Sequence, residues 1–118
     1  MSVDTHRHFH EELVEVTSRL LAMSGEAEAA LALAVEALLE RAPAKATSVI
    51  MGDRRIDALE VLVEEQVINL LALQQPMARD LRMLTSALQI TNDLERVGDH
   101  AVNIAESAER LGGSRAIT

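Results

Sequence analysis

Two stretches decide the fold: TNDLERVGDHAVNIAE at residues 91–106 and GDRRIDALEVLVE at residues 52–64. Both show the apolar spacing of an amphipathic helix. Each also carries a pair of carboxylates four residues apart, and the pairs are Asp53 with Asp57 and Glu95 with Asp99. Each pair lies on one helix face, where like charges at this spacing repel by roughly 0.2–0.5 kcal/mol. A repulsive pattern that occurs twice indicates that these acids have a function.

Three long helices are predicted from apolar residues whose spacing alternates between three and four along most of the chain. We expect helices at about residues 5–41, 43–74 and 76–111. Pro43 and Pro76 mark the boundaries. Proline disfavours a helical conformation in the residue before it, and it suits the first turn of the helix that follows.

The seam of the third helix, meaning its row of core-facing residues, is predicted to include Met83, Ala87, Ile90 and Val97. The glycine pair at residues 112–113 is expected to end that helix. In the first helix the seam narrows to alanine in its second half, which lets neighbouring helices approach closely.

Three helices of this length, joined by connections of a few residues, must fold up-down-up. The predicted fold class is therefore all-α, an elongated antiparallel three-helix bundle formed by one domain at residues 1–118. The composition agrees, since Phe9 is the only aromatic residue and 48% of the chain is hydrophobic. The chain has no cysteine, which excludes disulfides, thiolate metal sites and thiol catalysis.

The formal net charge of −8 argues against nucleic acid as a partner, because phosphate binding needs clustered lysine and arginine. The polar N-terminal stretch MSVDTHRHFHEE does not resemble a signal peptide. The apolar runs are far shorter than the roughly 20 residues that span a bilayer. These features predict a soluble, cytoplasmic, acidic protein.

A hairpin at Pro76 would bring the two acidic stretches together. Residues whose numbers sum to about 152, twice the number of that proline, would then lie side by side. The level pairs are Asp53 with Asp99, Asp57 with Glu95, and Glu60 with Asn92. At about 4 Å and an effective dielectric near 20, each unneutralised pair of charges costs on the order of 4 kcal/mol. A bound cation would offset this repulsion.

The predicted metal ligands are therefore Asp53, Asp57, Glu95 and Asp99. Possible secondary ligands are Glu60, Asn92, Asn103 and Glu106. An all-oxygen set suits Mg²⁺, Mn²⁺, Fe or Ca²⁺, and suits Zn²⁺ less well. The alternative is a solvated acidic face that is neutralised by the neighbouring Arg54, Arg55 and Arg96.

A second possible metal site is the HxHxH run of His6, His8 and His10, since two histidines one helical turn apart can hold zinc, nickel or copper. A frayed polar N-terminus explains this run better. Near the start of the third helix, Arg79, Asp80 and Arg82 form either an ion-paired first turn or a contact patch for a partner.

The chain resembles the PhoU family, whose members are accessory and regulatory proteins of bacterial phosphate-specific transport. The resemblance rests on QQPMARDLR at residues 74–82 and ERVGD at residues 95–99, with DRRIDALE upstream at residues 53–60. Together these motifs are specific, and the resemblance extends over residues 9–111. It implies a PhoU-like bundle with the outline of a spectrin repeat.

Members of that family typically contain two tandem three-helix repeats, whose E(D)xxxD motifs hold metal ions, with iron and zinc clusters among them. The resemblance implies that Asp53, Asp57, Glu95 and Asp99 are the ligands. It further implies regulation of phosphate uptake and of the phosphate-starvation response. The implied partners are a sensor histidine kinase and the phosphate transporter ATPase, so the chain would reach the membrane only through its partners.

This chain has the length of one repeat. We therefore expect a symmetric homodimer, and its wide apolar faces agree with self-association. The remaining possibilities are a fragment or a stand-alone half-length relative. We expect no enzyme, because the chain lacks the Glu-x-x-His motif of di-iron oxidases, any nucleophile with a base, and any phosphate-binding glycine loop. The alternatives are a metal-free helical scaffold and a carboxylate-bridged di-metal enzyme.

Overall fold

The structure is a computed structural model that describes residues 3–74 and 76–113, with side chains described over 7–72 and 76–112. Three α-helices make up this part of the chain: α1 (Val3–Glu40), α2 (Pro43–Gln74) and α3 (Ala78–Gly113). Each helix packs against both others in an up-down-up bundle that measures 69 × 19 × 16 Å. The predicted all-α, elongated three-helix fold is confirmed.

The turn between α1 and α2 is closed by hydrogen bonds that are typical of a Schellman motif. The backbone N–H of Ala42 donates to the Ala37 carbonyl at 2.9 Å, and that of Arg41 donates to the Leu38 carbonyl at 3.4 Å. Arg41 has φ of 53°, in the left-handed region that costs a non-glycine residue roughly 1–2 kcal/mol. The carbonyl of Ala42 then accepts from the N–H of Ala46 at 3.2 Å, so α2 starts at once.

α3 starts at Ala78, two residues after the expected start at about residue 76. Pro76 and Met77 precede the helix, and the Met77 carbonyl accepts the first hydrogen bond, from the N–H of Leu81 at 2.8 Å. α3 extends to Gly113, the second residue of the glycine pair and two residues beyond the expected end at about residue 111. A Cβ on Gly112 would lie 3.0 Å from Pro43 Cγ, so this glycine allows α3 to pack closely on the first turn of α2.

The core runs the length of the bundle and changes in character along it. At one end, large apolar side chains from all three helices pack together. The middle of the core contains fewer buried side chains. At the other end, around the α1–α2 turn, the contact is made mostly by alanine. The buried members are, in that order, Phe9, Leu13, Val16, Val63, Val67, Leu70, Leu84 and Ala87; then Met23, Ala27 and Ile56; then Ala34, Ala37, Ala46, Val49, Ala101, Ala105 and Ala108.

The seam predicted for α3 was wrong in its first half. Met83 and Ile90 are each 43% exposed, whereas Leu84 and Thr91 are fully buried. The buried row continues three and four residues at a time to Gly98, so α3 turns its glycine, and not the larger Val97, directly toward α2. Met83 and Ile90 lie instead at the edge of the groove between α1 and α3.

Over the described residues, no helix is both long enough and apolar enough to cross a membrane.

Candidate metal centre

The close approach of α2 and α3 is centred on Gly98. A Cβ at this position would lie 3.0 Å from Asp53 Oδ1 and 3.3 Å from Ile56 Cδ1. Asp53 therefore lies over the backbone of α3 one residue from Asp99, which is the register that the hairpin predicts. The sequence analysis missed the role of Gly98, although the ERVGD motif contains it and it lies three residues before Ala101, which is buried.

The tightest group of carboxylates consists of Asp57, Glu60 and Glu95. One oxygen from each lies within 4.8 Å of the others; Asp57 is exposed, and the two glutamates are half-buried. The group differs from the predicted ligand set, because Glu60 was assigned a secondary place while Asp53 and Asp99 were assigned primary ones. The structure places Asp53 and Asp99 beside this group rather than in it.

The reason for this difference is the direction in which helical side chains lean. Each side chain tilts toward the N-terminus of its own helix. In an antiparallel pair, Glu95 on α3 therefore leans toward the level of Glu60 on α2, while Glu60 leans back toward Asp57. Matching residue numbers across the hairpin ignores this tilt.

Glu95 is the most perturbed acid of the cluster. The pKa of Glu95 is raised to about 8, mostly by burial; the hydrogen bond with Asp57 and the negative charges of Glu60, Asp57 and Asp53 also contribute to the rise. Its Oε2 atom is buried and has no hydrogen-bond partner among the described residues. A buried oxygen acceptor without a partner is costly, so Glu95 lacks a donor or a cation.

The flanking acids are perturbed in the same direction. Burial raises the pKa of Asp53, and the charges of Asp57 and Asp99 add to the rise. Burial also raises the pKa of Glu60, with contributions from Glu64, Asp57 and Asp99. The neighbouring carboxylates therefore make ionisation of Asp53, Glu60 and Glu95 less favourable.

The arginines that could neutralise this cluster do not do so in the structure. Arg55 makes a salt bridge with Glu26 of α1 at 3.6 Å, on the opposite side of α2. Arg54 and Arg96 are exposed. Within the described part of the chain, no arginine or lysine forms a salt bridge with a carboxylate of the cluster.

The remaining predicted ligands lie outside the tight group. Asn92, Asn103 and Glu106 are exposed along the same side of α3. The side chain of His6 lies outside the described residues. His8 Nε2 lies 2.9 Å from Glu12 Oε2, which accounts for this histidine without a metal.

The structure does not show the ion-paired first turn that was one prediction for the start of α3. Arg79 and Arg82 are exposed and Asp80 is half-buried, and none of the three makes a salt bridge with a described side chain. The alternative, a contact patch for a partner, stays a prediction.

The fold and the cluster together define a class of protein: an elongated three-helix bundle that presents converging carboxylates on the outer face of a helical hairpin. The model of the PhoU domain matches residues 20–108. The chain belongs to the PhoU family.

Comparison with known proteins agrees with this assignment. The chain is 40% identical over 112 residues to a phosphate-specific transport system accessory protein PhoU homolog of Clostridium acetobutylicum, covering 94% of this chain and 51% of that protein. It is 40% identical over 108 residues to the corresponding homolog of Caulobacter vibrioides, covering 92% and 47%. The crystal structure of PhoU from Pseudomonas aeruginosa superposes with a TM-score of 0.86 at 38% identity, covering 88% of this chain and 50% of that one. The chain thus spans about half the length of the curated relatives it matches.

Proposed function

We propose that this chain is a non-enzymatic regulator of phosphate uptake and of phosphate-starvation signalling, and that its acidic cluster holds a metal ion. Family membership supports the regulatory role, because the relatives are named as accessory proteins of phosphate-specific transport. The observation that carries the metal site is Glu95, whose buried Oε2 has no partner beside two further carboxylates.

In this proposal Asp57, Glu60 and Glu95 contact the ion, and Asp53 and Asp99 complete its surroundings. A cation at this place offsets the mutual repulsion of the acids and gives Glu95 Oε2 a partner. An oxygen-only donor set fits Mg²⁺, Mn²⁺ or Fe, and fits Zn²⁺ less well. The ion would hold α2 to α3 and change the charge of the surface that a partner meets.

The proposed partners follow from the family. They are a second copy of the chain, a sensor histidine kinase and the phosphate transporter ATPase, which the chain would meet on the cytoplasmic side of the membrane. We propose no nucleic acid partner, because the net charge of −8 opposes contact with phosphate backbones.

Metal content, measured after incubation with Fe(II), Mn²⁺ or Zn²⁺ and gel filtration, tests the site. We expect the wild type to retain metal, and Glu95→Gln and the double variant Asp53→Asn/Asp99→Asn to retain much less. Glu65→Gln is the matched control, since Glu65 is an exposed acid of α2 outside the cluster. Equal retention by all four proteins would remove the site.

The same samples separate this proposal from its alternatives. A metal-free scaffold would show a melting temperature that is indifferent to added metal and to chelator. Turnover with O₂ and Fe(II) that is lost in Glu95→Ala would establish a di-metal enzyme and overturn the non-enzymatic assignment.

The regulatory role is tested in a bacterium that lacks its own accessory protein. We expect the wild-type chain to restore repression of a phosphate-starvation reporter at high phosphate, and Glu95→Gln to restore it less. A wild type that is produced and folded but does not change the reporter would overturn the regulatory role. Equal restoration by both would separate regulation from the metal.

A further inference from the structure

An apolar groove of about 250 Å³ lies between α1 and α3, on a different face of the bundle from the acidic cluster. Large apolar side chains along its edges are exposed to solvent. The exposed fractions are 54% for Val14, 69% for Leu21, and 43% each for Met83 and Ile90. Such a concentration of exposed apolar surface is typical of a contact site.

The charges along the α3 edge of this groove are ordered. Arg79, Met83, Ser86, Ile90 and Asp93 follow one another at spacings of four and three, so they share one face of the helix. The row begins with a cation, continues with apolar and small side chains, and ends with an anion. Arg79 and Asp93 are both exposed, and neither makes a salt bridge with a described side chain.

The α1 edge has its acidic group at the corresponding position. His10, Val14, Thr17, Leu21 and Glu28 lie along one face, with the glutamate at the end. Because the first and third helices of an up-down-up bundle are parallel, both edges have their acidic group toward the same end of the groove. The groove is therefore apolar in its middle and oppositely charged at its two ends.

We propose that a second copy of the chain covers this groove in an antiparallel, two-fold arrangement, with Arg79 of each copy facing Asp93 of the other. This inference rests on the homodimer of the proposed function and assigns its surface. An interface with a two-fold axis must be self-complementary, and a surface with opposite charges at its two ends becomes so when one copy is turned end to end. A parallel arrangement would oppose like charges at both ends.

The dimensions agree with this arrangement. Arg79 and Asp93 are fourteen positions apart, or about 21 Å along the helix. Ser86 lies midway between them, so it falls on the two-fold axis opposite its own counterpart, and its small side chain lets the two helices approach. A stable interface needs about 800 Å² from each partner, roughly a tenth of the 7630 Å² surface of this chain.

The arrangement leaves the acidic clusters free. They lie across the α2–α3 hairpin, which the α1–α3 groove does not include. Each dimer would present two separate candidate metal sites to solvent.

Charge reversal tests the proposal. In the single variants Arg79→Glu and Asp93→Lys, both symmetry-related contacts become repulsive, and we expect the dimer dissociation constant measured by sedimentation equilibrium to rise about 10- to 100-fold. An equimolar mixture of the two variants should form a heterodimer of near wild-type affinity, because both contacts then pair opposite charges. The double variant should recover for the same reason. Arg54→Glu, an exposed reversal on α2, should have no effect.

Three results would overturn the proposal. They are a wild type that stays monomeric at every concentration tested, a dimer that neither single reversal weakens, and single variants that weaken the dimer without recovery on mixing. All variants alter exposed side chains, and circular dichroism confirms that each is folded before comparison. Metal content is measured on the same samples. A wild type that takes up metal but stays monomeric refutes the dimer and this interface alone, and a wild type that dimerises but takes up no metal refutes the metal site alone.

Discussion

The polar groups buried between α1 and α2 have hydrogen-bond and charge partners, whereas the Glu95 Oε2 atom buried between α2 and α3 lacks them among the described residues. Toward α1, Gln66 is only 8% exposed, yet it is fully partnered. Arg19 Nη1 donates to Gln66 Oε1 at 2.9 Å, Gln66 Nε2 donates to Glu15 Oε1 at 3.0 Å, and Arg19 also makes a salt bridge with Glu15 at 3.0 Å. Toward α3, by contrast, the acids around Glu95 have no cation among the described residues.

This difference separates a structural cluster from a candidate binding site. The presence of acidic residues does not distinguish the two sites, because glutamates lie at both the α1–α2 and the α2–α3 interface. Among the described residues, only the α2–α3 face combines acids whose pKa is raised by neighbouring carboxylates, namely Asp53, Glu60 and Glu95, with a buried oxygen that lacks a partner. The missing positive charge is therefore more informative than the number of acids.

The largest expected effect is that Glu95→Gln stabilises the metal-free protein. Since the folded-state pKa of Glu95 is raised to about 8, the folded chain binds more protons than the unfolded chain between pH 4.5 and 8. The stability of metal-free wild type should therefore fall as pH rises through that window, and Glu95→Gln should remove the fall. We expect a gain on the order of 2–3 kcal/mol at pH 8, allowing for solvent screening of a half-buried group.

Urea denaturation at several pH values, with chelator present, measures this gain. Glu15→Gln on the α1–α2 face is the control, and it should lower stability slightly because it breaks a partnered contact. A wild-type stability that does not fall between pH 5 and 8 would contradict the assignment of Glu95.

The opposite sign is expected on the α1–α2 face. Arg19→Met keeps much of the apolar stem but removes the cation, and it leaves Gln66 Oε1 and the Glu15 carboxylate without their donor. We expect a loss of about 1–2 kcal/mol in the free energy of unfolding at pH 7. The loss should be smaller in a Glu15→Gln background, where the salt bridge is already absent. Equal losses in both backgrounds would show that Arg19 acts through packing alone.

Alanine substitutions at two glycines compare the α2–α3 hairpin with an exposed helix surface. Gly25→Ala has nothing within 4 Å of the new Cβ, so it should gain about 1 kcal/mol from helix propensity. Gly98→Ala should gain clearly less or lose stability, because its Cβ would lie 3.0 Å from Asp53 Oδ1. It should also weaken metal uptake by displacing Asp53. Equal thermal stabilisation and unchanged metal content in both variants would remove the special role of Gly98.

The smallest effect concerns salt. Raising monovalent salt should stabilise metal-free wild type by about a few tenths of a kcal/mol, since it screens repulsion within the cluster. The increase should be smaller in Glu95→Gln. Denaturation with urea measures this change in stability, because urea is uncharged and does not alter the ionic strength. An identical salt response in both proteins would place the repulsion elsewhere on this acidic chain.

The spacing of apolar residues was sufficient to predict the three helices and their topology, and Pro43 correctly marked the start of α2. The faces of α3 were harder to predict, because apolar residues occupy both Met83 and Leu84 and the pattern alone does not choose between them. The choice is made by Gly98, which must face α2 for the helices to approach, and that requirement appears only once the helices are packed.

For the site, matching numbers across the hairpin brought Asp57 level with Glu95, and the structure places them together. It gave Glu60 only a secondary place, since the position of this carboxylate depends on the tilt of side chains toward each helix N-terminus. Nor did the sequence indicate that Arg55 would turn away to Glu26, because an arginine next to an acidic stripe can face either neighbour.

The alanine-lined end of the bundle has a consequence for mutagenesis. Ala34, Ala101 and Ala105 are fully buried there, yet truncation to alanine cannot probe positions that are already alanine. A conventional alanine scan would therefore make the most closely packed third of this molecule look dispensable. Only a scan that enlarges side chains would reveal it, because helices that meet almost backbone to backbone have no room for a single added branch.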